Sequence, residues 1–373
     1  MKLFLACLGW GMCSVWAQMT PPTPMDRLLL KDWNPASSLV VPVTNVTKAR
    51  WKAIDFHTHS LISGKTKEDV AAWVRAMDES GVEMSIVYTD AIGEDFDEHV
   101  ELFLKAYPGR FQLYCSFDNR NPDAPDYSDR AVRELERCYR MGARGVGELS
   151  DKGWGLESGM VAFLSTLNTG GRREGTPRNR RLHLDDPRLD KFWEKCAELQ
   201  LPVSLHVADH PSCWKPLGPE QERPPRYAHM NQVGKDVPSY EELMERRDRL
   251  LTRHPRTTFV AAHLSNMGND LAALAKALDR FPNLYLDLAA RDYEIGRQPR
   301  QSRAFLTRYQ DRILFGTDSR ATPEMFRHYW RLLETADDYL PGPAGWRLYG
   351  LELPSGVLKK LYRTNAMRVL NLR

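Results

Sequence analysis

The stretch "AIDFHTHS", residues 53–60, gives the first indication of the fold and of its chemistry. It begins as a run typical of a buried β-strand and ends with two histidines separated by one residue. Because alternate side chains of a strand point to the same side, His57 and His59 are predicted to project together, and two imidazoles held in this way suit a divalent metal ion. An isolated pair also fits ordinary hydrogen-bonded histidines, so the rest of the chain has to decide between these interpretations.

From residue 52 onward, short apolar runs alternate with amphipathic helical patterns. Eight runs are strand candidates, and they lie at 52–57, 82–89, 110–117, 143–149, 201–207, 257–264, 283–289 and 312–318. Several of the segments between them open with Asp and end with Gly or Pro, as capped helices do. Eight strands that are each followed by a helix predict an α/β protein with the (β/α)8 TIM-barrel fold. The alternative is an open doubly wound sheet, but no glycine-rich nucleotide-binding turn supports it.

The ends of these strands carry residues that bind metals. In a TIM barrel the C-terminal ends of all the strands meet at one mouth, where active sites lie. The residues found there are His57 and His59 on the first strand, Glu148 on the fourth, His206 on the fifth, His263 on the sixth and Asp318 on the eighth. Each alone fits a hydrogen-bonded core residue or a helix cap. Together they predict a metal site at the barrel mouth.

At this point the chain resembles a known family. The motifs that carry the resemblance are "DFHTH" (55–59), "SLHVADH" (204–210), "FVAAHLSN" (259–266), "NLYLDLAAR" (283–291) and "RILFGTDS" (312–319). They are similar to the amidohydrolase superfamily, in the amidohydrolase-related branch that includes aminocarboxymuconate semialdehyde decarboxylase and the resorcylate decarboxylases. The closing stretch "VLKKLYRTNAMRVL" (357–370) resembles the last helix of that branch, with Asn365 in its usual place.

The resemblance covers residues 51–373 and implies a barrel that holds one or two divalent ions, most often zinc. Matched residue by residue, it implies that the ligands are His57, His59, His206 and Asp318. For His263 it implies either a ligand or an acid–base group.

Glu148 departs from the family pattern. Many members with two metals bridge the ions with a carboxylated lysine on the fourth strand, whereas this chain has a glutamate there and Lys152 in the following loop. A bridging glutamate resembles the metal-dependent deoxyribonuclease branch. The alternative is that Glu148 only orients a ligand histidine.

These residues predict a metal-dependent hydrolase of a C–N or C–O bond in a small molecule. A bound metal lowers the pKa of water from about 15.7 towards 7, and Asp318 would take a proton from that water and pass it to the leaving group. His263 would stabilise charge on the attacked oxygen or bind a second ion. The same residues around one metal also fit a decarboxylase. A non-catalytic binding protein and a nuclease are weaker alternatives, since the net charge of +3 gives no sign of a nucleic-acid partner.

Two long loops are expected to select the substrate, one at 150–186 and one at 207–238. Trp214 lies in the second loop and is a candidate contact for an aromatic substrate. Arg291 follows the seventh strand and is the better candidate for binding a substrate carboxylate, although a salt bridge at the barrel rim explains it equally well.

The N-terminus is predicted to be a signal peptide over residues 1–17, because Lys2 precedes a short apolar run and Val15 and Ala17 suit signal-peptidase cleavage. An extended arm is predicted at 18–50, followed by the barrel at 51–373. The protein is therefore expected to be exported, either periplasmic or secreted, without a membrane span. A homodimer is possible. The four cysteines beyond the leader are expected to be either free or paired in disulfides.

Overall fold

The structure is a computed structural model that describes residues 24–29, 32–33, 36–158, 180–218, 221–222, 225–342 and 345–372. Two compact units divide the chain at residue 40. In the first unit the described residues include a 3-10 turn, Pro24–Arg27, that is fully exposed. The predicted signal peptide lies outside the described residues. Residues 36–50 contain no helix or strand.

The second unit contains eight parallel strands that pair in chain order. They are β1 Ala53–His59, β2 Val82–Tyr88, β3 Phe111–Cys115, β4 Ala143–Asp151, β5 Val203–Val207, β6 Phe259–Ala261, β7 Leu284–Asp287 and β8 Ile313–Leu314. Two backbone hydrogen bonds link the segment after β8 back to β1. The Phe56 amide donates to the Phe315 carbonyl at 2.9 Å, and the Asp318 amide donates to the His57 carbonyl at 2.8 Å. The predicted TIM barrel is confirmed.

A helix follows each strand. These helices are α1 Lys67–Ser80, α2 Gly93–His99, α3 Tyr127–Met141, α4 Asp190–Glu198, α5 Tyr240–Arg253, α6 Leu271–Arg280, α7 Pro299–Arg308 and α8 Pro323–Glu334. A π-helical segment, Val100–Lys105, extends α2, and a short helix, Asp292–Arg297, precedes α7. Local sequence sets the ends of α1. Thr66 and Asp69 form a capping box at its start, and Gly81 ends it with a φ of 82°.

The closing helix α9 seals the barrel at the end opposite the mouth. It consists of Ser355–Lys359, a π-helical turn Lys360–Thr364 and Asn365–Val369. The Asn365 amide group donates to the carbonyls of Gln310 and Ile313, both at 2.7 Å. Its apolar residues pack with those inside the barrel, a cluster that consists of Ile54, Phe56, Ile86, Tyr88, Tyr114, Val260, Leu314, Ala366, Val369 and Leu370. Because apolar side chains fill the bottom of the barrel, the mouth is the end at which a polar site can form.

Several strands are shorter than predicted, and β6 and β8 differ most. Strand β6 ends at Ala261 instead of 264, and His263 and Leu264 adopt left-handed backbone angles with φ of 59° and 51°. The reason is that the His263 amide donates to the Asp287 carboxylate at 2.8 Å rather than to a neighbouring strand. Strand β8 ends at Leu314, and the residues that follow turn over the mouth.

The loop after β4 pairs briefly with that strand through Glu157–Ser158, and its residues 159–179 lie outside the described residues. The loop after β5 contains 3-10 turns at Pro211–Trp214 and Pro225–Met230. Cys115, Cys138, Cys196 and Cys213 are free and buried, which settles the disulfide alternative. No helix among the described residues is long and apolar enough to cross a membrane.

Candidate metal centre

The six side chains predicted as metal ligands meet at the barrel mouth. They are His57, His59, Glu148, His206, His263 and Asp318, and their facing nitrogen and oxygen atoms lie 2.8 to 3.9 Å apart. Two groups of them, His57 with His59 and Asp318 and Glu148 with His206 and His263, have ligand atoms close enough to share an ion, and a third such group joins His57 and His263 to Asp287. Because His57 and His263 each belong to two of these groups, the donors form one continuous cluster.

Asp287, the last residue of β7, positions two of the histidines. Its Oδ2 accepts a hydrogen bond from His57 Nδ1 at 2.9 Å, and its Oδ1 accepts one from the His263 backbone amide at 2.8 Å. His263 Nδ1 lies 2.8 Å from the Ala289 carbonyl, which can only accept, so this nitrogen carries the proton. Both rings therefore direct Nε2 toward the cluster.

Glu148 lies at the centre of the cluster. Its Oε1 is 2.8 Å from His206 Nδ1 and 3.3 Å from His263 Nε2, while its Oε2 is 3.5 Å from His59 Nε2. Burial disfavours the charged form, but the nearby His206 and His57 outweigh it and hold the pKa of the Glu148 carboxyl well below its usual range. The carboxylate is therefore ionised and available to a cation.

Two glycines allow β4 to bring Glu148 to this position. A Cβ atom on Gly147, whose φ is 139°, would lie 2.7 Å from the Cβ of Ser204 on β5. A Cβ atom on Gly145 would lie 2.2 Å from the Tyr114 ring. Larger residues would push the strand away from its neighbours, so the glycines that precede Glu148 are required by close packing.

His59 and Asp318 form the side of the cluster that faces solvent. His59 Nε2 lies 3.5 Å from Asp318 Oδ1, and His59 Nδ1 lies 3.6 Å from Asp90 Oδ2. The Asp318 side chain is 26% exposed, against 5% for Glu148. Asp318 is therefore the carboxylate of the cluster that a substrate reaches most easily.

The protonation states fit a divalent cation. Burial lowers the pKa of His263, so its Nε2 presents a lone pair to the Glu148 carboxylate at 3.3 Å. Two electron-pair donors at that distance repel each other unless a cation lies between them. Burial also disfavours the protonated form of His57, but Asp287 and Glu148 outweigh it and raise its pKa to about 9. The carboxylates thus favour a proton on the His57 ring at the place where a metal ion would bind. Imidazole and carboxylate groups are ligands for both zinc and manganese.

A buried chain of contacts leads away from His206. Its Nε2 lies 3.3 Å from Asp209 Oδ1, and the same oxygen lies 3.1 Å from the Lys152 ammonium. The Lys152 side chain is only 6% exposed. The contact with Asp209 fixes the His206 ring with Nδ1 toward Glu148, as carboxylates do for many metal-binding histidines.

A chamber of about 550 Å³ opens onto His206, His263 and Asp318. Its walls carry aromatic and thioether side chains, namely Tyr227, Met230, Tyr293, Met325, Tyr329 and Trp346. Its charged lining residues beyond the cluster are Lys152, Asp209, Glu222, Arg291, Asp292 and Arg297. A chamber of this size and lining suits a small ligand with one aromatic ring.

The two residues predicted to contact substrate have different positions. Arg291 lines the chamber, and its Nη1 donates to the Ala290 carbonyl at 2.6 Å while its Nη2 donates to Asn266 Oδ1. Trp214 is not among the described residues that line the chamber. Its indole N–H donates to the Pro238 carbonyl at 2.9 Å, and its ring packs edge-on against Tyr240 at the start of α5. Both substrate roles stay predictions.

Several residues of the site received no role from the sequence. Asp287, Asp90 and Asp209 hold the histidines of the cluster, and Lys152 lines the chamber. The three aspartates lie at the ends of strands or just past them, in "DLAAR", "YTD" and "VADH", and this position is the signal that would have identified them. That signal is weak, because an aspartate after a strand also fits a helix cap.

Comparisons with known proteins agree with this architecture. A family model described as amidohydrolase matches residues 54–372. Among curated proteins, none matches the sequence. A dihydroxybenzoic acid decarboxylase from Polaromonas sp. JS666, solved with bound manganese and 2-nitroresorcinol, is 16% identical with a TM-score of 0.52, over 86% of this chain and 97% of that chain.

Two other solved structures share the fold. A 2,6-dihydroxybenzoate decarboxylase from Rhizobium is 17% identical with a TM-score of 0.50, over 86% of this chain and 99% of that chain. A putative amidohydrolase from Staphylococcus aureus is 14% identical with a TM-score of 0.51, over the same shares of the two chains. At these identities the likeness concerns the fold.

Proposed function

The chain belongs to the amidohydrolase family, and on that premise we propose that it is a metal-dependent decarboxylase of a small aromatic acid. One observation carries the proposal. The donors converge on a single cluster, and that cluster forms the floor of a chamber with aromatic walls. Such a site would hold the carboxylate of a ring compound at the metal, with the ring against the walls.

One divalent ion fits the cluster best. Sites for two ions hold them about 3.5–4 Å apart, each with its own ligands. Here a single oxygen, Glu148 Oε1, lies within 3.8 Å of ring nitrogens of His57, His206 and His263, so these donors converge on one position. Zinc remains the predicted ion. The manganese in the Polaromonas enzyme makes that metal the second one to test.

The ion would bind the substrate carboxylate and neutralise its charge. Asp318 is the accessible carboxylate beside it, and it takes the proton of a substrate hydroxyl group as the ligand enters. Asp318 then delivers this proton to the ring carbon that bears the carboxylate. The electron pair of the broken carbon–carbon bond stays on the ring, and carbon dioxide leaves.

His263 has a supporting role in this scheme. Its Nδ1–H donates a hydrogen bond to the Ala289 carbonyl, and burial favours the neutral ring by lowering its pKa. The ring therefore supplies Nε2 as an electron-pair donor at the floor of the chamber. It does not compete with Asp318 for the transferred proton.

Hydrolysis of a C–N or C–O bond is the second candidate. The same exposure of Asp318 that suits proton delivery to a ring also suits proton removal from a water molecule. The fold shared with two decarboxylases of dihydroxybenzoates favours the first reaction as the one to test.

The test is a substrate screen with protein loaded with zinc and, separately, manganese. The substrates are hydroxybenzoates, with amides, esters and lactones of similar size, and the readouts are released carbon dioxide and chromatographic product analysis. We expect carbon dioxide from at least one hydroxybenzoate, with loss of activity on chelation. Hydrolysis of an amide, ester or lactone without carbon dioxide release from any acid would establish the hydrolase instead.

A further inference from the structure

We propose that Lys152 is a substrate-binding residue that receives a second anionic oxygen group on the aromatic substrate, either a carboxylate or a phenolate. The inference deepens the proposed function and rests on it for the aromatic acid. It names the substrate class as aromatic compounds with two acidic groups, one at the metal centre and one at Lys152.

The position of Lys152 is the first observation. It directly follows β4, lines the chamber, and has a side chain that is only 6% exposed. An ammonium group has three N–H donors, and a buried one is costly unless acceptors and negative charge surround it. Among the described residues, Asp209 is the carboxylate within salt-bridge distance of it, at 3.1 Å.

The Asp209 charge is shared, which is the second observation. The oxygen that faces Lys152 also lies 3.3 Å from His206 Nε2. When His206 binds a metal through Nδ1, its Nε2 carries a proton and donates to Asp209, so this oxygen accepts from two donors, the imidazole and the ammonium. Lys152 therefore retains N–H donors from which an anionic substrate group can accept hydrogen bonds, and a positive charge that such a group can balance.

The other cations of the chamber are already held by protein groups. Arg291 donates to the Ala290 carbonyl and to Asn266. Arg297 donates to Glu222 at 2.5 Å, and its guanidinium lies 4.6 Å from the centre of the Trp346 ring. Compared with these two arginines, Lys152 has fewer contacts with described protein acceptors and is the better site for a ligand oxygen.

The link through Asp209 also limits the distance between the two proposed contacts. Lys152 and the metal ligand His206 are both in contact with the same oxygen, at 3.1 and 3.3 Å. The ammonium therefore lies near the metal centre. A single aromatic ring with two acidic substituents is the kind of ligand that reaches both.

The experiment measures binding of two non-reactive probes to the zinc-loaded protein by isothermal titration calorimetry. Benzoate has one acidic group, and benzene-1,3-dicarboxylate has two. We expect the wild type to bind the dicarboxylate about ten-fold more tightly or better, because a hydrogen bond between charged groups contributes that much. Lys152→Met should remove this preference and leave benzoate binding within about two-fold, while Lys152→Arg should retain part of it.

The matched control is Lys191→Met, since Lys191 is 63% exposed and pairs with Asp129 on the surface. Metal content and circular dichroism of each variant show whether the centre and the fold are intact. Equal affinity of the wild type for both probes, or an unchanged preference in Lys152→Met, would overturn the inference. If the preference behaves as expected but no carbon dioxide is released from any acid, the proposed reaction fails while the role of Lys152 stands.

Discussion

His57 on β1 donates a hydrogen bond to Asp287 on β7 at 2.9 Å, so the two residues link the strands that lie on either side of β8. The same carboxylate accepts the backbone amide of His263 at 2.8 Å. One buried aspartate therefore orients two histidines of the metal centre, and the following expectations depend on that arrangement.

Asp287→Asn should weaken metal binding without unfolding the barrel. Asparagine has nearly the same shape but no charge to hold the His57 Nδ1 proton, so the ligand ring loses its fixed orientation. Removal of such a partner typically costs about 10- to 100-fold in metal affinity. Competition with a chromogenic chelator measures the change, and wild-type affinity in the variant would remove Asp287 from this role.

Asp318→Asn should reduce turnover by about 100-fold or more, because an amide can neither take nor deliver the transferred proton. The exposed Asp338→Asn serves as a control that should keep its full rate. Initial rates with the best substrate of the screen give the comparison. A variant that keeps more than about a tenth of the wild-type rate would exclude Asp318 as the proton carrier.

Glu148→Gln should lower the bound metal by about one equivalent, since a neutral amide at the centre of the cluster cannot balance a divalent charge. Elemental analysis of dialysed protein gives the stoichiometry. If the variant retains as much metal as the wild type and loses only rate, Glu148 orients His206 and is not itself a ligand.

Metal binding should strengthen as the pH rises from about 6.5 to 9. Burial opposes protonation of His57, but Asp287 and Glu148 raise its pKa to about 9, so the metal-free protein carries a proton there throughout this range. An ion at Nε2 displaces that proton, which makes the apparent affinity rise by roughly ten-fold per pH unit for each proton released. Isothermal titration calorimetry of metal binding in two buffers of different ionisation enthalpy gives the number of protons released. Binding at pH 7 without proton release would contradict the assignment.

Asn365→Ala should destabilise the barrel by about 2 kcal/mol, because it removes two buried hydrogen bonds and leaves two carbonyls unsatisfied. Those carbonyls belong to Gln310 and Ile313, so the link between α9 and β8 is lost. Urea unfolding followed by circular dichroism measures the effect. The control Asn269→Ala lies at the surface and should change the free energy of unfolding by less than about 0.5 kcal/mol.

The barrel and its metal ligands could be predicted because each depends on local pattern. Alternating strands and helices are visible in the spacing of apolar residues, and one end of every strand must lie at the mouth. The six predicted ligands are therefore brought together even though His57 and Asp318 are far apart in the chain. The family resemblance read from "DFHTH" and "RILFGTDS" is confirmed by the match over residues 54–372.

The fold, the mouth and the set of donor residues that meet there could thus be inferred from the sequence pattern. Which further residues support that set depends on the tertiary structure. Asp287, Asp209 and Lys152 become part of the site because the closed barrel places strand ends beside one another. Trp214 lies outside the chamber lining because its indole N–H donates to the Pro238 carbonyl. Hydrogen bonds and burial between distant segments depend on three-dimensional distance, and spacing along a chain carries no direct record of it.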